Sequence, residues 1–400
     1  MGSGRAQNPA SCHPHIFSRS RAALSPLLLA ALLLLLAALL WVPAGMLTCI
    51  GDSGQPVDWF IIYKLPEKCS NDSRASEDLP ADCMDGSDVP DGLRYRYLDD
   101  SFPNWRNGVD SISSSEGALG RSLAPLYGNT YNQVAFLLYN DQPPNTAEIN
   151  VPSRGHAKGV VLLDQDAGFW LVHSVPKFPP LARTRAYSWP SSAVPNGQTL
   201  FCVSFPLDQF HHIGKQLSYV YPTVYDQQLE GMVSELVAVA EGQHVKQEPW
   251  NRSMTLTSKA GNTFWSFAKF IKLEDDLYSG LLAPALGSNL MVQFWRKGKV
   301  MPSNCSGPFH VFDVTSIEFP GGLSYKSTKD HSKWAVASTE DWVCVSDLNR
   351  NSGGYLRSGG ALCTRIHHVC NAFRSLVKEF ELCPHSGYLE HPKDPLKSEL

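Results

Sequence analysis

Arg154-Gly-His-Ala-Lys-Gly-Val-Val-Leu-Leu-Asp164 and Asp330-His-Ser-Lys-Trp-Ala-Val-Ala337 carry the same device. In each, a His-x-Lys tripeptide runs into a short, apolar, β-rich stretch. On a strand, residues i and i+2 point to one face, so His and Lys aim together at one spot. Chance at this composition predicts fewer than one such tripeptide, and four occur. His391-Pro-Lys393 stands in a polar tail with proline between the pair. His244-Val-Lys246 has no apolar strand after it and reads as an exposed loop. The two informative pairs lie 175 residues apart, one in each half of the chain. That is the pattern of a duplicated unit whose halves meet at a shared site.

Two imidazoles and two ammonium groups around one point make a phosphate site that calls for no metal and no cofactor. One imidazole, of His156 or His331, attacks phosphorus. The other protonates the leaving oxygen. Lys158 and Lys333 stabilise charge on the equatorial oxygens. The spacing adds His173, fifteen residues beyond Lys158, and Asp347 to Asn349, fourteen to sixteen beyond Lys333. Asn349 reads as a further neutral donor. Such a site titrates with its histidines.

Short β-rich runs recur at Val57–Tyr63, Val134–Tyr139, Gly159–Asp164, Phe169–His173 and Thr199–Phe205. Helix-like segments alternate with them at 226–242, 262–286 and 368–381. The fold class is α/β, with sheets covered on both faces. The divisions are 1–46 as leader and signal peptide, 47–225 as the N-terminal half, and 226–400 as the C-terminal half with a polar tail.

The leader rests on residues 27–42, an apolar run preceded by Arg19 and Arg21 and followed by Val42-Pro-Ala-Gly-Met46. A basic flank, an apolar core and small residues make a signal peptide, with the cut expected between Ala44 and Leu47. Sequons at Asn71, Asn251 and Asn304 fit that route. Nine cysteines follow the leader and none forms a C-x-x-C pair, which favours disulfides over a zinc ribbon. Nine is odd, so one thiol is left over, and Cys69 and Cys83 flank a polar loop. The acidic run 82–91 lacks the spacing of a calcium loop. With 43% hydrophobic residues the chain can bury a large core, and with 18% charged residues and no polybasic block it carries no nucleic-acid arm. The formal charge of −4 would become +9 if all 13 histidines were protonated, which suits a polyanion met in acid.

The stretches Leu47-Thr-Cys-Ile-Gly-Asp-Ser-Gly-Gln-Pro-Val-Asp-Trp-Phe60, Tyr139-Asn-Asp-Gln-Pro143, Arg154-Gly-His-Ala-Lys-Gly159, Gly168-Phe-Trp-Leu-Val-His-Ser-Val-Pro176 and Asp330-His-Ser-Lys-Trp334 resemble the deoxyribonuclease II family, the alpha form more than the beta form. The likeness covers about 47–383. It implies a phospholipase-D-like fold, two similar α/β halves forming a pseudo-dimer around one active site. It implies metal-independent hydrolysis of double-stranded DNA in acid, leaving 3′-phosphate and 5′-hydroxyl ends, in lysosomes reached by the secretory pathway, with some protein secreted. By that likeness His156, Lys158, His331 and Lys333 carry catalysis, and His173, Asn349 and Asp347 support it. It also implies disulfides Cys49–Cys202, Cys305–Cys383 and Cys344–Cys363. Cys69 and Cys83 then pair within an insertion, and Cys370 is the odd thiol. Ala335 and Ser346 stand where the family usually has Cys and Gly. Double-stranded DNA is the expected partner, along a groove with Arg154, Arg183 and Arg185 and with Tyr187 and Trp189 as aromatic contacts. A homodimer is left open.

Three rivals are weighed beside this. A phosphodiesterase of the same fold acting on phospholipid would want an amphipathic membrane segment, and the sequence offers none. A non-catalytic DNA-binding glycoprotein would fit the loss of one His-x-Lys, and both are present. A zinc hydrolase would draw on His367, His368 and Cys370, which lack partner spacing.

Overall fold

The computed structural model describes residues 47–67, 89–128, 133–144 and 153–383. The leader, the Cys69–Cys83 pair, Asn71, His391 and the tail from 384 lie outside them. The described residues fall in one compact unit.

A small hairpin of β1 (Cys49–Ile50) and β2 (Pro56–Val57) opens the chain. The first sheet contains β3 (Trp59–Lys64), β4 (Tyr95–Asp99), β5 (Phe102–Asn107), β6 (Ala135–Asn140), β7 (Lys158–Leu163), β8 (Ala167–His173), β9 (Gln198–Pro206) and β10 (Val224–Gln228). The second contains β11 (Asn251–Thr257), β12 (Thr263–Lys269), β13 (Leu290–Gln293), β14 (Val311–Glu318), β15 (Ser324–Lys326), β16 (Trp334–Ala337), β17 (Val343–Ser346), β18 (Gly359–Thr364) and β19 (Val377–Glu381). The helices are α1 (Ala118–Tyr127), α2 (Gln209–Val220), α3 (Ser234–Ala240), α4 (Ala283–Leu286), α5 (Ser352–Tyr355) and α6 (His367–Arg374).

Strand order exposes the duplication. The first sheet runs β10-β6-β7-β8-β9-β3-β4-β5. The second, read from its far end, runs β15-β14-β13-β16-β17-β18-β12-β11. The places of β6, β7, β8, β9, β3 and β4 are thus repeated by β13, β16, β17, β18, β12 and β11. A helix follows β9 and another follows β18. The two sheets are almost wholly antiparallel, with β13–β14 the parallel pair.

Continuous apolar strands follow from burial on both faces. In β3, Trp59, Ile61 and Tyr63 point into the core between the sheets, while Phe60 and Ile62 point into an outer core with Leu119, Leu123 and Leu126 of α1. The period of two divides one strand between two cores. The shared core takes Phe210, Ile213 and Leu217 of α2 and Val369 and Phe373 of α6. On the far side of the second sheet, Leu277, Tyr278, Leu282 and Leu286 cover Leu290, Val292 and Cys363. Each buried side chain of this size contributes about 1.5–3 kcal/mol. Polar bonds also cross the seam, where Asp58 accepts from the Ser258 hydroxyl at 2.6 Å and the Ala260 N–H at 2.8 Å.

The helix-like segments are corrected. Residues 226–242 open in β10 and are helical only over Ser234–Ala240. Residues 262–286 hold β12, then a π-helical turn at Leu277–Leu282 and α4. Residues 368–381 end in β19. An apolar run cannot by itself separate a buried strand from a buried helix, and pairing with β11 and β18 makes Phe264 to Lys269 a strand.

Disulfides join Cys49 to Cys202, Cys305 to Cys383, and Cys344 to Cys363 across β17 and β18. Among the described residues Cys370 is the free cysteine, with burial pushing its thiol up to about 12. Asn251 begins β11, and the Asn304 amide oxygen accepts from the N–H and hydroxyl of Ser306. No helix among the described residues is long and apolar enough to cross a membrane.

Candidate active site

His156 and Lys158 enter β7 through a constriction. The Gly155 N–H donates to Tyr221 O at 2.8 Å, and a Cβ on Gly155 would meet Val220 O at 2.0 Å, so only glycine fits this close approach. The His156 N–H then donates to Ser358 O of the other half at 2.9 Å. Asn140, the last residue of β6, pairs with Lys158, and this register brings Asp141 beside the motif. Asp141 Oδ2 lies 2.6 Å from His156 Nδ1, and its Oδ1 accepts from the Lys158 ammonium. Arg357, again from the other half, donates to Asp141 Oδ2 at 3.2 Å. Arg357 Nη1 also lies 2.9 Å from His156 Nδ1. One ring nitrogen cannot both donate to the carboxylate and accept from the guanidinium. The shorter, charge-assisted contact decides: Nδ1–H donates to Asp141, and Nε2 keeps its lone pair.

His331 is held in the mirrored way with a different neighbour. Its N–H donates to Gly197 O of the first half at 2.9 Å. Trp295 stands beyond β13 where Asp141 stands beyond β6, and its ring packs on His331 with centroids 4.1 Å apart. The Trp295 backbone N–H donates to Asn349 Oδ1 at 3.2 Å and its indole N–H to Thr328 O at 3.3 Å, so Asn349 fixes the backbone that carries the ring behind His331. Lys333 Nζ donates to His331 O at 2.8 Å.

Among the buried ring nitrogens without a protein partner in the described residues, two stand in this site, His331 Nε2 and His173 Nε2. His173 Nδ1 accepts from the Val175 N–H at 3.2 Å, so its Nε2 carries the proton. Unpartnered buried polar atoms beside ammonium groups are the donor set of an anion site. The groups of the two pairs lie near enough for each to feel the other's charge. Burial lowers His331 to about 3, helped by the charges of Lys333, Lys158 and Lys64. Burial lowers His173 to about 3, with Lys158 adding to it. Burial takes His156 to about 4 against the pull of Asp141. Lys333 falls to about 7 through burial and the nearby Lys158. Asp141 is opposed by its own burial, yet His156, Lys158 and Arg357 hold it well below the usual carboxylate range.

Asp347 is pushed up to about 7 by burial, although the Gly360 N–H, Lys158 and Lys333 pull it down. Its structural partner in the first half is Ser174. The Asp347 N–H donates to Gly360 O at 3.0 Å as the Ser174 N–H donates to Thr199 O at 3.0 Å. The counterpart of His173 is then Ser346, because the β7–β8 and β16–β17 connections differ in length.

Arg154 lies 4.1 Å over the Tyr221 ring and donates to Pro222 O at 3.3 Å, two residues from His156. Arg183 and Arg185 stand exposed at the short turn Ala182–Thr184. In the same loop Tyr187 donates to Ile112 O at 2.6 Å and Trp189 packs on Phe178, so these aromatics serve the outer core. His244, read as an exposed loop residue, is half-buried between Tyr221 and Phe270. The zinc rival loses its donor set: His367 faces Asp341 at 2.8 Å, the His368 ring lies 5.9 Å from Trp59, and the Cys370 thiol faces Thr364 O in the core.

Known proteins are similar to this chain over most of its length. The deoxyribonuclease II family model matches residues 48–383. The chain is 56% identical to deoxyribonuclease-2-alpha of Sus scrofa over 91% of this chain and 98% of that protein. This chain belongs to the deoxyribonuclease II family. Within the family the alpha form is nearer. Identity is 54% to deoxyribonuclease-2-alpha of Mus musculus (88% of this chain, 97% of that protein) and 32% to deoxyribonuclease-2-beta of Homo sapiens (85% and 92%). The phospholipase-D-like fold of deoxyribonuclease II accounts for the two matched sheets.

Reading the sequence missed Arg357 and Trp295 and gave Asp141 no role. Asp141 had a signal, since it lies within Tyr139-Asn-Asp-Gln-Pro143. Arg357, in Leu-Arg-Ser-Gly-Gly, has no local signal, because only the fold brings it to His156.

Proposed function

We infer that this chain is an acid endonuclease that hydrolyses double-stranded DNA to 3′-phosphate and 5′-hydroxyl ends, degrading DNA in the lysosome. The observation that carries it is the convergence of His156–Lys158 and His331–Lys333 from opposite halves, with buried imidazole nitrogens left for an anion. His156 Nε2 attacks phosphorus, forming a P–N bond as the P–O5′ bond breaks. The 5′ oxygen takes a proton from His331. Water then attacks phosphorus, His331 takes its proton, and His156 leaves. Lys158, Lys333 and the His173 Nε2–H hold the equatorial oxygens, and Arg154, Arg183 and Arg185 take neighbouring phosphates. In the free site burial, with the lysine charges adding to it, keeps His331 neutral; a phosphate between the lysines brings an opposing charge that favours the imidazolium. Cations here are supplied by side chains, so the reaction needs no metal ion. Assembly as monomer or homodimer is read from the mass in solution.

Purified protein should nick supercoiled plasmid at about pH 5 in excess EDTA, and His331→Ala should not. Loss of nicking in EDTA, or full activity of the variant, overturns the reading.

Acid also tunes binding. Asp347 ionises above about 7 and is neutral below it, and Lys333 gains its charge over the same range. As pH falls through 7 the site therefore becomes more positive where phosphate binds. KM for DNA should rise roughly tenfold between pH 5 and 7.5. Asp347→Asn, which keeps an acceptor for the Gly360 N–H, should flatten that rise to the part owed to Lys333. An unchanged KM profile in the variant counts against this role.

A further inference from the structure

Two lysines outside the catalytic set are fully buried, Lys64 and Lys269. They occupy equivalent places. Lys64 is the last residue of β3 and pairs with Gln198 of β9; Lys269 is the last residue of β12 and pairs with Gly359 of β18. Each ammonium is spent on carbonyls of a turn. Lys64 Nζ donates to Val194 O at 2.6 Å and Asn196 O at 2.7 Å. Lys269 Nζ donates to Tyr355 O at 2.8 Å, Gly354 O at 3.3 Å and Asp275 O at 2.7 Å.

Each turn delivers a carbonyl to a reacting histidine. The first leads into Gly197, whose carbonyl receives the His331 N–H. The second leads through Arg357 into Ser358, whose carbonyl receives the His156 N–H. The arrangement is crosswise, with a lysine on each sheet fixing the turn that caps the histidine of the opposite half. Burying an ammonium group is costly, and a hydrophobic residue would fill either place more cheaply. A buried cation repeated at both equivalent places therefore points to work on the turns.

We propose that Lys64 and Lys269 are paired positioning residues, Lys64 setting His331 and Lys269 setting His156. Neither touches substrate. The proposal rests on the assignment of His156 and His331 as the reacting imidazoles. Lys64 also faces Asp330, Asp91 and Glu67, and its charge is among those that keep His331 neutral. Lys269 faces Asp276 and Asp275. The two arms therefore differ: loss of Lys64 moves His331 and releases its titration upward, while loss of Lys269 moves His156 and the Arg357 contact.

The test is Lys64→Met and Lys269→Met, each read by NMR of imidazole-labelled protein and by steady-state cleavage of DNA. Lys64→Met should shift the His331 ring signals and raise its pKa, leaving His156 in place. Lys269→Met should do the reverse in position. In each, kcat should fall about 10- to 100-fold with KM nearly unchanged, as a displacement of about 1 Å would cause. Gly197→Ala guards against a variant that does not fold. Its Cβ would stand 2.5 Å from Asp330 Oδ1, so it disturbs the same turn with Lys64 intact and should reproduce the His331 shift. Unmoved histidine signals in both lysine variants, or both histidines moving equally in each, overturn the proposal. The ring signals report position without catalysis, so they stand apart from failure of the nuclease reading itself, which full activity of His331→Ala would reveal.

Discussion

His156→Ala should lower kcat for DNA cleavage by about 10⁴-fold or more, because the attacking atom is gone. The structure favours this imidazole as nucleophile through its neighbours. Asp141 takes Nδ1–H at 2.6 Å and is itself held ionised by Lys158 and Arg357. The lone pair is thereby fixed on Nε2. His331 has a ring of Trp295 behind it instead of a carboxylate, and its Nε2 is buried without a partner. That suits a group which receives and returns a proton. An activated p-nitrophenyl phosphodiester separates the two roles, since its leaving group needs no proton. His331→Ala should recover its first turnover on that substrate, seen as a burst of p-nitrophenolate, and then build up a phosphohistidine trapped by alkaline quench, because the water step still lacks its base. His156→Ala should recover none. The opposite pattern would exchange the roles. Asp141→Asn should fall between, at about 10²- to 10⁴-fold, because an amide can hold the ring in the wrong tautomer.

The duplicated His-x-Lys pairs and the apolar strands behind them were legible because both follow local rules. The period of two and the same-face pairing of i and i+2 need no knowledge of the partner strand. The asymmetry between the histidines was not legible. Asp141 and Trp295 gain their meaning from registers between β6 and β7 and between β13 and β16. Arg357 and Ser358 reach His156 from the other half of the chain. The segment 262–286 misled for a related reason: Phe264, Phe267 and Ala268 are buried on both faces of a sheet, and such a run has no helical or strand period of its own. Ser174 escaped notice because spacing alone matched His173 to Asp347.

Arg350→Met should cost about 3–5 kcal/mol of stability, the largest loss expected outside the apolar cores. Arg350 is fully buried. Its Nε donates to Asp276 Oδ2 at 3.1 Å, and its Nη1 donates to Asp313 Oδ1. Asp276 also accepts from the Ser279 N–H at 2.9 Å and so starts the π-helical turn. Asp313 accepts from Arg296 at 2.9 Å, and Arg296 reaches Glu381 of β19 at 2.5 Å. Removing the arginine leaves Asp276 without its paired cation and Asp313 with Arg296 alone. Burial already pushes Asp313 up to about 6 despite both arginines. A carboxylate raised in the fold contributes stability that is full below its unfolded value and is lost as pH rises through the folded one. The variant's deficit should therefore widen from pH 5 to pH 7 as Asp313 is forced to ionise with Arg296 as its remaining cation. Urea unfolding of disulfide-intact protein at the two pH values reads both quantities. Glu381→Gln, at the half-exposed end of the same chain of charges, should cost under about 1 kcal/mol. Equal losses in the two variants would mean that the buried part of the network carries no special weight.

The crosswise capping of the histidines has a consequence for biosynthesis. His156 is finished by Ser358 and Arg357, more than two hundred residues later in the chain. His331 is finished by Gly197 from the first half. A nascent chain that has folded its first sheet thus holds a complete His-x-Lys pair and no working centre. With His156 and His331 in their proposed roles, cleavage should begin only once the last strands have been made and docked, and an unfinished or prematurely released product should leave nucleic acid intact.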